Sequence, residues 1–204
     1  MEMLKIAAVV LYHPTDAFYL IKRNRGKNFI LPSIVLILSL VITRVLFILF
    51  TNYTVAEVDL RNVDMVSEIA VYSWVLFSWA IASYAISAIM SGSTFFSEAL
   101  YGTALAAMPL IVFQIPIAMS TWVMGNSEKV FLDFMVMAMW VWTIFLVFRG
   151  VMVMNEYSFG KTIGVCLISV IFIVIFWSVL LMLVIFTRNL IDFASGLFQE
   201  FTTT

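Results

Sequence analysis

The sequence predicts an all-α membrane protein: a bundle of five transmembrane helices preceded by a short amphipathic, interfacial helix. Three observations predict it. Of 204 residues, 64% are hydrophobic and 11% are charged, whereas a soluble domain carries about 25% charged residues. Apolar runs long enough to cross hydrocarbon, which takes about 20 helical residues, occur five times along the chain. Lysine and arginine gather ahead of the first of these runs, the pattern that orients membrane proteins.

Residues 1–28 form a basic, amphipathic segment expected on the cytoplasmic side. The opening "MEMLKIAAVVLYHP" has too short an apolar core for a signal peptide, with Glu2 spoiling a positive leader and no small-residue cleavage site after it. In "HPTDAFYLIKRNRGKN", Thr15 or Asp16 can cap a short helix. Ala17, Phe18, Leu20 and Ile21 give that helix an apolar side, and the expectation is a helix in the headgroup layer with its cations near anionic lipid.

The spans are expected over 29–50, 69–90, 102–122, 134–154 and 162–187, each helical because hydrocarbon offers no other partner for backbone amides. Lys5, Lys22, Arg23, Arg25 and Lys27 precede the first span, while Glu57, Asp59, Asp64 and Glu68 outnumber Arg61 after it. That bias predicts a cytoplasmic N-terminus, and five crossings then make residues 188–204 an extracytoplasmic tail.

Polar residues inside the spans are the candidates for function. Arg44 lies six residues before Phe50, about 9 Å from the outer end at 1.5 Å per residue. Its stem can snorkel, and Glu68 and Asp133 are the carboxylates nearest by topology. Arg149 is the inner counterpart, and Glu98 is its predicted partner. Ser83, Ser87 and Ser91 recur every four residues on the second span. Gly102 and Ala106, like Thr103 and Ala107, repeat that spacing on the third. Such small-residue stripes allow close approach of helices in lipid, and the two are expected to pack on each other. Pro109 and Pro116 should bend the third span. Gln114, between them, is expected to hydrogen-bond a freed carbonyl or a neighbouring helix, or to line a polar path.

These motifs carry a resemblance. "SEALYGTALAAMPLIV", with Glu98, Tyr101, Gly102 and Pro109, resembles the signature of the Ypt-interacting-protein (Yip) domain family in its bacterial branch. His13, Pro14, Phe18, Ile21 and Lys22 are similar to that branch's pattern before its first span, and the Trp-rich fourth span followed by Lys161 is similar to its later region. The resemblance implies five membrane helices and a cytoplasmic N-terminus. Eukaryotic relatives bind Rab-type GTPases, but this chain lacks their long cytoplasmic N-terminal region ahead of its first span, so GTPase binding is not carried over. Some bacterial relatives are associated with ABC-type transporters, and the family brings no catalytic residues.

The expected function is therefore a non-enzymatic scaffold or accessory subunit in the cell membrane. Its expected partners are lipid, further copies of itself or other membrane subunits, an ABC-type transporter among them. The alternative is a channel, transporter or lipid-handling protein using the bent third span. An enzyme is disfavoured. "SGS" at Ser91–Ser93 has no positioned base, and Asp133 has no twin carboxylate at its depth. A single histidine, His13, and a single cysteine, Cys166, leave no expected metal site, and no cofactor is expected. A net charge of −1 gives no basic face for nucleic acid.

Overall fold

The computed structural model describes residues 2–25, 27–52, 64–125 and 128–203. Glu57, Asp59 and Arg61, which entered the charge balance above, lie outside the described residues. Among the described residues there are eight helical segments and no strand: α1 (Glu2–Tyr12), α2 (Pro14–Arg23), α3 (Ile30–Phe50), α4 (Met65–Ile89), α5 (Phe96–Ala106), α6 (Met108–Ser120), α7 (Lys129–Asn155) and α8 (Phe159–Thr203). Five spans are long and apolar enough to cross a membrane: α3, α4, α5 with α6, α7, and Phe159–Phe193 of α8. The five-helix class is as expected.

The helix ends differ from the apolar runs because capping groups, rather than hydropathy, decide where a helix begins. The second span starts at Met65 because Asp64 accepts the Val66 amide at 3.0 Å and the Ser67 hydroxyl at 2.6 Å, satisfying donors that the first turn leaves open. The third span starts at Phe96, six residues before the expected Gly102, because the Glu98 carboxylate reaches back to the Phe95 amide at 3.0 Å. Glu98 and Tyr101 are therefore helical residues of the span.

Pro109 produces the expected break. The helix closes at Ala106 and reopens at Met108, with Ala107 bonded to Ala104 in a tighter turn; proline cannot donate to the carbonyl four residues back. Pro116 lies inside α6, which continues past it.

The broken third span is the axis of the bundle. Its apolar window is 67% buried, against 28% for α3, 22% for both α4 and α7, and 6% for α8. Gly102, Thr103, Ala104, Ala106 and Ala107 are all buried, and their small size lets neighbours approach closely. A Cβ at Gly102 would stand 2.6 Å from the Met154 sulfur of α7. Around this axis, α3 packs on α5 and α6, α4 on α5, and α7 on α5 and α6, while α8 packs mainly on α4. Trp177 holds α8 there: its indole donates to the Ser78 hydroxyl at 3.1 Å and lies 3.6 Å, centroid to centroid, from Trp74.

The N-terminal segment forms two helices, and the expected amphipathic one, α2, turns its apolar side onto protein. Ala17, Phe18 and Ile21 are fully buried, with α2 lying on α7 and α1 folded back against α2. Pro14 begins α2, and Asp16 in its first turn and Lys22 and Arg23 in its last suit the helix dipole.

The C-terminal segment 188–203 continues α8 without interruption, giving a helix of 45 residues.

Candidate functional site at the N-terminal rim

The starts of α3, α5 and α8 and the ends of α4 and α7 form one rim of the bundle, where α2 docks. Most of the residues singled out by sequence meet there. Glu98 is buried at 3% exposure. One of its carboxylate oxygens accepts the Phe95 amide, and the other lies 3.3 Å from Nε of Arg25. Arg25 also donates to the Ser93 carbonyl and stands over the Phe95 ring, 5.4 Å from its centroid.

The predicted Glu98–Arg149 pair is thus corrected. Arg149 donates instead to the Thr15 hydroxyl at 2.6 Å. Adjacent Gly150 faces α2, where a Cβ would stand 3.0 Å from the Phe18 ring, so this stretch of α7 looks toward α2. Lys22 extends the same seam, ion-paired with Glu156 at 2.5 Å. The hydrogen bond and charge of Lys22 hold the Glu156 carboxyl below its ordinary value.

A second seam joins the turn after α4 to the turn after α7. Tyr157 donates to the carbonyl of Ser87 at 3.0 Å, and Met90's carbonyl lies 3.3 Å from its hydroxyl. Thr94 donates to the Asn155 side-chain oxygen at 2.8 Å. Burial pushes the Tyr157 hydroxyl pKa upward, partly offset by the Ser87 bond. Gly92 is needed at this crossing, where a Cβ would meet Asn155 at 2.5 Å and Tyr157 at 2.6 Å. Ser91 adopts a left-handed φ of 59° in the turn. That corrects the expected three-serine stripe: Ser83 and Ser87 are buried on α4, but Ser91 is exposed beyond the helix end. The stripe shortens, and α4 still packs on α5 as expected.

Tyr101 is buried and stacks on Phe29, with centroids 5.4 Å apart. It ties the start of α3 to α5. Buried Pro109 and Ala106 lie deeper on the same axis.

The other candidates gather toward the opposite rim. Arg44 binds one oxygen of Glu68 through two nitrogens, at 2.7 and 3.2 Å. Its guanidinium also lies 5.3 Å from the Phe47 ring centroid and 4.7 Å from that of Tyr72. Of the two expected partners Glu68 is the one used, and Asp133 is exposed. Gln114 is 1% exposed and its amide makes no hydrogen bond to the described residues. It therefore takes neither the freed carbonyl nor a partner helix.

Sequence reasoning missed Arg25, Thr15 and Gly150. The lone glycine inside an apolar helical run was the available signal for Gly150, since glycine there costs about 1 kcal/mol relative to alanine and calls for a packing reason. Which cation would reach Glu98 depends on how the N-terminal helices fold back, and no local pattern encodes that.

Comparison of the chain with protein-family models, with curated proteins and with solved structures finds no match.

Proposed function

We propose that this chain is a non-enzymatic assembly or accessory subunit of the Yip-domain type, joining copies of itself or other membrane subunits such as an ABC-type transporter. The supporting observation is the length of α8. Its apolar run, residues 162–187, has 26 residues, about 39 Å at 1.5 Å per residue, and a tilt of about 40° fits it to a hydrocarbon layer of about 30 Å. The helix nevertheless continues past Arg188 and Asp192 to Thr203, and Leu190, Ile191 and Phe193 are exposed on that continuation. Exposed apolar side chains beyond the hydrocarbon offer a surface for another subunit to cover.

The reading places the chain in the cell membrane with residue 2 cytoplasmic and residue 203 outside, following the lysine and arginine bias. Removal of residues 188–204 should lower the assembled fraction several-fold in native-membrane cross-linking. A strictly monomeric full-length chain that captures nothing, unaffected by the truncation, would overturn it.

The alternative, transport through the bent third span, is favoured by the buried, bond-free amide of Gln114, two helical turns past the break at Ala107. Vesicles containing the protein should then move a solute or ion faster than protein-free ones. Equal rates would remove this reading.

A further inference from the structure

A cavity of about 590 Å³ opens between α4, α7 and α8. It lies within the range of about 300–1,000 Å³ typical of ligand sites. Its floor is the buried axis, with Leu40, Ala107, Leu110 and Thr143; its mouth is formed by exposed residues, with Val75 of α4, Ile144 of α7 and Leu167 of α8 among them. It extends from Val71 to Trp79 on α4 and from Trp140 to Phe148 on α7, about 12 Å along each helix. Val75 to Trp79 and Thr143 to Phe148 lie well inside their spans, at hydrocarbon depth, while Tyr72 is two helical turns from the start of α4.

The lining is apolar in effect. The Thr103 and Thr143 hydroxyls are already bonded to carbonyls of their own helices at 2.9 Å, so neither asks for water. An apolar void of this kind does not hold water, and leaving it empty forfeits dispersion contacts along every wall. The solvent at its mouth is hydrocarbon.

The two ends differ. Toward the N-terminal rim the cavity stops at Trp79, which packs with Val151 and Tyr157. Toward the opposite rim it reaches Tyr72, whose ring supports the Arg44 guanidinium held by Glu68. Buried Gln114 lies one helical turn beyond lining residue Leu110. One end is walled by an indole packed among other side chains, and the other meets a charged, hydrogen-bonding group.

We propose that this cavity binds the hydrocarbon tail of a membrane lipid, with the tail's tip at Trp79 and its ester end at Tyr72 and Arg44. The site does not depend on the assembly role proposed above, and either could fail alone.

The test uses the full chain in phosphatidylcholine vesicles containing a trace of phosphatidylcholine with a photoactivatable diazirine on one acyl chain. A diazirine at the chain tip should label the stretch around Trp79 and Cys166 several-fold more than the outward face of α8 around Ile175. One near the ester should shift the label toward Tyr72. Filling the mouth with Leu167→Trp, at an exposed position where folding is not at stake, should cut cavity labelling several-fold and leave Ile175 labelling unchanged.

Equal labelling of cavity and α8 face, unaffected by Leu167→Trp, would mean ordinary surrounding lipid and overturn the proposal. Label in the reverse order, with the ester end at Trp79, would overturn the assigned orientation. In a Cys166→Ser background, efficient disulfide-linked dimerisation of Leu167→Cys would put a second copy at the mouth and overturn the site.

Discussion

Gly150 and Phe18 show how one missing side chain positions a helix. Alanine in place of a helical glycine gains about 1 kcal/mol in propensity, but overpacking a tight contact costs about 1–3 kcal/mol. The new Cβ would stand 3.0 Å from the Phe18 ring edge, and Phe18 is fully buried, so it has little room to yield. Gly150→Val should therefore lower thermal stability in detergent by roughly 1–3 kcal/mol. In a Phe18→Leu background, Gly150→Ala should turn from costly to stabilising. Loss of stability that Phe18→Leu does not relieve would show that the ring is not the obstacle.

Two ion pairs invite opposite expectations at this same scale. Arg44 and Glu68 are partly buried, with side chains 19% and 36% exposed. Arg44→Leu or Glu68→Leu alone strands a charge in the membrane layer and should cost about 1–3 kcal/mol. The double leucine variant should recover most of the loss, because a well-packed apolar pair can replace a buried ion pair. Unfolding in graded detergent mixtures would measure all three. Lys22–Glu156 is more exposed, and its effect is smaller. Because the folded-state pKa of Glu156 is depressed below 4.5, the bond favours the docked α2 above that pH and is lost as pH falls through the folded value. A spin label at exposed Tyr19 should become more mobile in acid below about pH 4.5, the ordinary carboxylate range. In Glu156→Gln it should show no such step.

Among the elements, the third span carries the strongest constraint. Its residues 102–107 are all buried and small enough, Leu105 apart, to sit among α3, α4 and α7. The break at Ala107 follows from Pro109 and decides how α5 and α6 are set against α3. Pro109→Ala restores an amide donor for the Leu105 carbonyl and should close the break into one continuous helix. Distances between spin labels at exposed Phe96 and Met119 should then change by several ångströms. An unchanged distance would mean that packing by α3 and α7 holds the bend without the proline. The start of this span also shows where reading by hydropathy stops. Glu98 looks like an interruption of an apolar run, yet it is a residue of the first turn that binds the Phe95 amide.

Considered whole, the molecule is four spans gathered around or forming a buried axis and a fifth leaning on one side. Internal partners hold Arg44, Glu98 and Arg149, so the polar residues that stood out in the sequence serve largely to fasten the bundle. Gln114 differs, with a buried amide and no bond. If the proposed topology holds, labels at exposed Tyr12 and exposed Phe193 should be reached from opposite faces of intact cells. Both reached from one face would require an even number of crossings.

Five spans, their approximate limits, the kink in the third and the close packing of small residues were legible in the sequence, because each follows from local composition. Hydrocarbon enforces helices wherever about 20 apolar residues run together, and proline or glycine acts at its own position. Partner choice was not legible in the same way. Arg44 had two acidic candidates, and Glu98 drew Arg25 rather than Arg149, because pairing depends on the rotation of each helix and on how α1 and α2 fold back. The cavity between α4, α7 and α8 was invisible for the same reason. It is a space left where three helices diverge, and no residue encodes a gap until its neighbours are placed.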